Sequence, residues 1–357
     1  MFGGINNLVY LCNNIMYTMV TVTSACSKRL KWIDWMKAMG IYLIVLGHFF
    51  SVGCKFVYVF HVPLFFTISG FLSKREVDRQ VFWKKLWYNL VVPMLMMAVA
   101  IFIYNSIVQL FEGTLEWQTF YLFARNVLFG MVLGFDNLWF VYTLILLKII
   151  FQYCILKKLF YSLTIVMLAL AYSYNTLDFA GFPFFLNEPN SIINVCTAFP
   201  FFAFGLFVRD YKVLLNEWNN MIMLMFAFLC GFLFDLICMF YNGGVEMYCC
   251  NYGRNMMLFL LGGIAGCVMI FAASKLLGNA SKIVVIISRG TIIILGFHKL
   301  FIDLIRLFFP ASYLDIGFAA FVVVFFIPLI LATEKYLPLM AGKYRSPKYD
   351  DDKYNTY

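Results

Sequence analysis

Ten apolar runs of about membrane-spanning length recur along this 357-residue chain. A helix needs roughly 20 apolar residues to cross the hydrocarbon core of a bilayer. The sequence therefore predicts an all-α, polytopic membrane protein with about ten transmembrane helices. Their predicted positions are 34–52, 56–73, 88–109, 138–156, 159–175, 192–208, 219–241, 255–273, 283–303 and 315–333.

Composition excludes a water-soluble globule. Hydrophobic residues make up 63% of the chain and charged residues only 13%, whereas about a quarter of the residues in an ordinary soluble domain are charged. The net charge of +9 would suggest a nucleic-acid partner in a soluble chain. Here the basic residues are sorted between loops, so the expected partner is the lipid bilayer and no nucleic acid is expected.

The basic residues predict the orientation, because cytoplasmic loops of membrane proteins carry an excess of Lys and Arg. With ten spans, one side collects most of them, including Lys74, Arg75, Arg209, Lys275 and Lys335. The opposite side receives few, such as Lys55, Arg125 and Arg254. This asymmetry predicts a multi-pass protein of the cell's inner membrane, with both termini in the cytoplasm.

Three parts are predicted along the chain. Residues 1–27 hold no charged residue and lack the basic start of a signal peptide, so they form an N-terminal extension of uncertain status. Residues 28–342 form the transmembrane domain, and 343–357 form a charged cytoplasmic tail. A further apolar run at 119–133 is interrupted by charge and predicts an interfacial or re-entrant helix.

The three histidines, His48, His61 and His298, are all predicted toward the outer ends of their spans. Ionisable groups inside membrane segments are costly and by default indicate function. Three such groups at one depth predict a polar cavity. The alternative interpretation is that each ring only hydrogen-bonds a backbone carbonyl near the interface.

A polar stripe is predicted on the first span. Lys37 and His48 are eleven residues apart, about 1100° around a helix, so they share one face and lie roughly 16 Å apart along the axis. Asp34 precedes Lys37 by three residues and is placed to pair with it. The alternative, a lysine that reaches the interface while Asp34 tethers it, explains the pair but not His48.

The ten cysteines indicate little chemistry. None forms a CxxC pair, and most lie in apolar runs, which favours small buried residues over disulfides or zinc. No metal site is predicted.

Short motifs follow one another in a specific order. They are KWIDWMKAMG with VLGH at 31–48, FHVPLFF with SGFL at 60–72, FWKKL at 82–86, NLWF at 137–140, FPFF at 199–202, YGRN at 252–255 and TIIILGFH at 291–298. Together they resemble the membrane-bound acyltransferase 3 family, and within it the fucose 4-O-acetylase-type sugar acetyltransferases. Two positions depart from the family pattern: Lys37 stands where many relatives carry Arg, and Arg254 is inserted into a YGN element.

The resemblance covers about residues 28–342 and implies transfer of an acetyl group to a sugar hydroxyl. The donor that it implies is acetyl-CoA, a co-substrate rather than a bound cofactor. The acceptor that it implies is a surface or exported glycan or a lipid-linked sugar.

The implied roles begin with His48 as the catalytic base, because an imidazole with a pKa near 6.5 suits proton transfer at neutral pH. A covalent acetyl-histidine is the less favoured variant. Lys37 and Asp34 are expected to hold the donor or the helix. Lys84 and Lys85 are expected to bind the phosphates of CoA, with ordinary charge sorting as the alternative.

Other motif residues are expected to complete the site. Ser69 and the backbone N–H of Gly70 are candidate donors to the oxyanion, although a packing hydroxyl is an equal interpretation of Ser69. His61, His298 and Trp139 are expected to line the cavity.

Two other functions stay open at this point. A polytopic secondary transporter also explains intramembrane Asp34, Lys37 and His48, although inverted repeats are not evident. An acyltransferase that acts on a lipid or a cell-wall precursor is the other alternative.

Overall fold

The described residues of the computed structural model, 29–50, 53–131, 138–154, 156–177, 188–211 and 220–343, are largely helical and include no β-strand. Beyond Lys31 they belong to one compact unit, Trp32–Tyr357. The prediction of an all-α chain is confirmed. The helices are α1 (Lys31–His48), α2 (Cys54–Tyr58), α3 (His61–Leu72), α4 (Arg79–Leu86), α5 (Val92–Glu112), α6 (Trp117–Phe129), α7 (Trp139–Tyr153), α8 (Lys157–Thr176), α9 (Ser191–Tyr211), α10 (Met221–Asn242), α11 (Met256–Leu276), α12 (Lys282–Arg289), α13 (Thr291–Arg306) and α14 (Asp315–Tyr336).

Within these described ranges, seven helical segments are long and apolar enough to cross a membrane, and the bent pair α12–α13 raises the number to eight. Helix α7 is apolar but has only 15 residues. Helix α1 has 18 residues, three of which carry charge. The structure thus supports a multi-pass membrane protein. The count of ten spans and the sides of the two termini stay predictions.

The predicted span at 283–303 is not one straight helix. Helices α12 and α13 meet at Gly290 with a bend of 82°. A methyl group on Gly290 would lie 2.3 Å from side-chain atoms of Ile330 on α14, so the absence of a side chain lets α14 pack into the corner. The segment predicted as a span at 283–303 therefore contains a sharp bend, which hydrophobic periodicity does not report.

Helix α9 lies at the centre of the bundle, in contact with α3, α7 and α8. Its crossing with α3 is close enough for the backbones to touch. A methyl group on Gly70 would lie 2.0 Å from the carbonyl oxygen of Phe202, and one on Gly205 would lie 2.0 Å from that of Thr67. Small residues permit such close approach of membrane helices, where dispersion contacts drive association.

Burial separates the interior helices from the peripheral ones. Most of the residues of α3, α9 and α11 are buried, whereas α5, α8 and α10 expose most of their apolar side chains. Exposed apolar surface on this scale fits contact with lipid. Helices α3 and α9 therefore form part of the interior of the bundle. The first residue of α3 is His61.

We expect Gly205→Ala to destabilise the protein by about 1–3 kcal/mol, because the added methyl meets a backbone oxygen that cannot rotate away. Thermal unfolding of the purified protein in detergent measures the effect. Gly317→Ala is the matched control, since nothing lies within 4 Å of its added methyl group, and it should leave stability unchanged or slightly raised. Equal melting temperatures for Gly205→Ala and wild type would contradict the close crossing.

Candidate active site

The three histidines lie at one end of the bundle. His48 ends α1, His61 begins α3, and His298 lies on α13. The rings of His48 and His298 are 4.8 Å apart between centroids and are inclined by 82°. His61 and His298 are buried, whereas His48 is half-buried. The fold therefore brings together three residues that are up to 250 positions apart in the sequence.

Each imidazole is held in one tautomer by a backbone carbonyl close before it in the chain. Nδ1 of His48, His61 and His298 lies 2.8 Å from the carbonyl oxygen of the residue four positions earlier. A carbonyl oxygen only accepts hydrogen bonds, so each Nδ1 must carry the proton. In the neutral ring Nε2 then carries no proton, so it is the nitrogen that can act as a base or accept a hydrogen bond.

A small cavity adjoins the rings of His48 and His61, whereas His298, which was also expected to line it, does not. It is lined by His48, His61, Tyr58, Trp139 and Tyr248, together with the apolar side chains of Ile44, Val62, Phe140, Met247 and Leu295. Its volume is about 40 Å³, which is room for roughly three water molecules. A hydroxyl group and its neighbouring atoms fit this space, whereas a complete sugar ring does not.

The loop between α10 and α11 covers the cavity. A 3₁₀ turn, Met247–Cys249, places Tyr248 beside the rings. Asn194 of α9 donates from Nδ2 to the carbonyl oxygen of Tyr248 at 3.0 Å. Asn242 of α10 donates to the carbonyl oxygen of Tyr252 at 2.8 Å. Buried amides of two helices therefore fix the loop, and sequence reasoning singled out neither of them.

The adjacent cysteines of this loop are not prepared for nucleophilic chemistry. Burial raises the pKa of the Cys249 thiol, and it raises the pKa of Cys250 to about 12. A thiol is nucleophilic only as the thiolate, so burial lowers the reactivity of both groups. Both are free thiols, and in the described part of the chain no three His, Cys, Asp or Glu residues are grouped to hold a metal ion.

The other end of α1 carries a second polar group. Asp34 is buried and accepts a hydrogen bond from the hydroxyl of Ser288 on α12, at 2.6 Å. Lys37 is half-buried and lies close enough to Lys148 of α7 for the two cations to repel each other. Lys148 in turn donates to the hydroxyl of Ser73, at 3.1 Å. Lys148 was not predicted, although a lysine inside an apolar run is the signal that could have indicated it.

A larger pocket opens near this Lys37 end. Its volume is about 250 Å³, and its charged lining residues are Lys74, Arg75, Arg209 and Asp210. Arg75 donates to the carbonyl oxygen of Phe151, at 3.1 Å, and to that of Cys154, so it also binds the end of α7. Three cations and one carboxylate leave this pocket with a net positive charge.

Lys84 and Lys85 lie on the exposed side of α4. Lys85 forms an ion pair with Glu76, at 2.8 Å, and its side chain is 53% exposed. Neither lysine lines the cavities described above. Their predicted contact with phosphate stays a prediction.

Ser69 and Gly70 do not lie with the histidines. They are at least eight residues beyond His61 on α3, about 12 Å along the axis, and neither lines the histidine cavity. The carbonyl oxygen of Ser69 accepts a hydrogen bond from Ser73. The missing side chain of Gly70 makes room for the backbone of α9. The contacts of both residues thus serve the packing of α3.

Residues 30–333 match the model of the acyltransferase 3 family, described as an acyltransferase domain. Because the match covers most of the chain, the protein belongs to this family. No curated protein and no solved structure showed a significant match. The family supports an acyltransferase over a transporter. The likeness to fucose 4-O-acetylase-type enzymes within the family stays a prediction.

We expect Asn194→Ala to loosen the loop that covers the cavity. The variant loses the hydrogen bond to the carbonyl oxygen of Tyr248 and a weaker one from the thiol of Cys250. Loss of the first alone costs about 0.5–1.5 kcal/mol, so the loop should open at least roughly two- to tenfold more often. Maleimide labelling of Cys250, which is 2% exposed, measures this opening when peptides are mapped by mass spectrometry.

The control for this labelling is Asn220→Ala, which removes the cap at the opposite end of α10. It should leave the labelling of Cys250 at the wild-type rate. Equal labelling rates for Asn194→Ala and wild type would show that the asparagine does not hold the loop.

Proposed function

We propose that this protein is an O-acetyltransferase of the inner membrane that moves an acetyl group from acetyl-CoA to a sugar hydroxyl of a surface or exported glycan. The observation that carries the proposal is the state of His48. Its Nδ1 proton is bound to the carbonyl oxygen of Ile44, so Nε2 of the neutral ring carries no proton and has the form of a base, and the ring borders a cavity that fits a hydroxyl group.

His48 acts as a general base in this proposal. Nε2 takes the proton of the acceptor hydroxyl while the oxygen attacks the carbonyl carbon of the thioester. The tetrahedral intermediate then expels the CoA thiolate, which takes the proton from Nε2. One C–O bond forms and one C–S bond breaks, and His48 returns to its starting state. Proton transfer of this kind contributes about 10²–10⁴-fold to the rate.

Lys37 binds the donor near the opposite end of α1 from His48. It shares a helical face with His48 and lies roughly 16 Å away along α1, and its half-buried side chain repels the second cation, Lys148, electrostatically. Two like charges held close together in a poorly solvated place favour the binding of an anion. Lys37 therefore contacts a phosphate or a polar group of the pantetheine arm.

The nucleotide end of CoA binds at the surface near α4. Lys74 and Arg75 line the net positive pocket, and Lys84 and Lys85 follow on the exposed side of the next helix. These cations bind phosphates as point charges. The Lys37 end of the bundle accordingly faces the cytoplasm, where CoA is made, and the acetyl group reaches the His48 end without CoA crossing.

The acceptor sugar binds at the mouth of the histidine cavity. Tyr58, Trp139 and Tyr248 line it, and aromatic faces pack against the C–H face of a sugar ring while their polar atoms meet hydroxyls. His298 supports the ring of His48 edge-on, at 4.8 Å. His61 lines the same cavity and orients the acceptor.

We expect His48→Ala to lower acetyl transfer about 10²–10⁴-fold, because the base is lost. The direct measurement is O-acetyl content of surface glycan in cells that lack the gene and are complemented with each variant. Thermal stability of the purified variant is the control for folding. Full rescue by a stably inserted His48→Ala would exclude His48 as the base. Solute flux through proteoliposomes without acetyl transfer would instead indicate a transporter.

We expect Lys37→Ala and the double variant Lys84→Ala/Lys85→Ala to weaken acetyl-CoA binding by different amounts. Hydrogen bonds to a partly buried charge contribute about 1.5–3 kcal/mol, so Lys37→Ala should raise KM for acetyl-CoA roughly 10–100-fold. Exposed pairs contribute about 0.2–1 kcal/mol each, so the double variant should raise KM only a few-fold.

Salt separates these two contributions. Exposed charges are screened at high ionic strength, so the effect of Lys84→Ala/Lys85→Ala should disappear at about 0.5 M salt, whereas that of Lys37→Ala should persist. An unchanged KM for acetyl-CoA in both Lys37→Ala and Lys84→Ala/Lys85→Ala would refute this donor site.

A further inference from the structure

Arg306 connects two helices through a two-pronged ion pair. It ends α13, and its Nη1 and Nη2 donate to Oδ1 and Oδ2 of Asp315, both at 2.8 Å. Asp315 is the first residue of α14 and is fully buried. Two parallel hydrogen bonds between planar groups fix orientation as well as distance. The guanidinium plane is therefore fixed relative to both helices.

The same guanidinium reaches the end of α1. Nη2 of Arg306 donates to the carbonyl oxygen of Phe49 at 2.7 Å, and the guanidinium carbon lies 4.8 Å from the centre of the Phe49 ring. The last carbonyls of a helix have no partner within it, and a cation at this end also complements the helix dipole. Arg306 thus caps α1 at the residue that directly follows His48.

This cap closes a loop of contacts around the proposed base. His48 is bound on its N-terminal side through Nδ1 to Ile44, and its backbone continues directly into the capped Phe49. Its ring neighbour His298 lies two turns before Arg306 on α13. One helix therefore supplies both the ring that contacts His48 and the cation that holds the chain after it.

We infer that Arg306, held in place by Asp315, is a positioning residue that sets where Nε2 of His48 lies relative to His298. The expected effect of Arg306 on catalysis rests on the proposed function, because only that proposal makes His48 the catalytic base. Arg306 contacts none of the reacting atoms. A lysine cannot replace it, since a single ammonium lacks the fork that meets both carboxylate oxygens and the carbonyl of Phe49 together.

The test compares Arg306→Lys and Asp315→Asn with wild type. The matched control is Arg289→Lys, because Arg289 ends the neighbouring helix α12 and pairs with Glu334 at 2.6 Å. The first readout is kcat and KM for acetyl transfer. A displacement of about 1 Å at a catalytic group can cost 10²-fold in rate, so kcat should fall about 10–100-fold in Arg306→Lys while KM for the acceptor changes little.

The second readout needs no turnover. Diethyl pyrocarbonate acylates the unprotonated nitrogen of histidine, and peptide mapping gives the rates at His48 and His61 separately. In Arg306→Lys and Asp315→Asn the ratio of these two rates should change at least about threefold, because the charged hydrogen bonds that hold the chain after His48 are lost or weakened. Arg289→Lys should keep the wild-type ratio. A general loss of structure would instead raise both rates together.

The two readouts separate the failure of each idea. A wild-type ratio and a wild-type kcat in Arg306→Lys would overturn the positioning role, even where His48→Ala abolishes transfer. Conversely, a wild-type protein without acetyl transfer would refute the proposed function, while a changed ratio in Arg306→Lys would still establish that Arg306 places His48. If Arg306→Lys does not fold, the ratio of the labelling rates at His48 and His61 in Asp315→Asn tests the positioning role in its place.

Discussion

The hydrogen bond between an imidazole Nδ1 and a backbone carbonyl four residues earlier sets the chemistry of this bundle. A buried polar group without a partner costs several kcal/mol in a lipid environment. His48, His61 and His298 all satisfy their one N–H within the local chain. Because the donor is used in this way, each neutral ring presents only an acceptor, which is the form that a base requires.

This arrangement joins two interpretations that the sequence left as alternatives. Each histidine hydrogen-bonds a carbonyl, as expected of a structural residue near an interface. With these bonds in place, the rings of His48 and His298 are in contact, and His48 and His61 border one cavity. A histidine whose N–H is bound to a nearby carbonyl can therefore also belong to a shared site, and neither interpretation excludes the other.

The two ends of α1 differ in how charge is compensated. At the Lys37 end, Lys37 and Lys148 repel each other, and Lys148 donates to Ser73, which directly precedes Lys74 and Arg75 of the net positive pocket. This concentration of positive charge suits an anionic ligand. At the His48 end, the buried carboxylate of Asp315 neutralises the cation of Arg306. Arg306 therefore stabilises the packing of helices and does not attract an anionic ligand. Helix α1 therefore connects a site suited to an anionic donor with a site suited to a neutral hydroxyl group.

Much of this was accessible from the sequence, because helices in lipid need long apolar runs and because residues on one helix keep a fixed angular relation. The apolar runs, the common face of Lys37 and His48 and the family motifs are of this local kind. The bend at Gly290, the close crossing at Gly205, the position of Lys148 and the cap from Arg306 to Phe49 are not. Arg306 and Phe49 are 257 residues apart, and no periodicity relates them. Tertiary structure alone decided which carbonyl the guanidinium meets, because packing of separate helices, and not the pattern within one, fixes contacts over that distance.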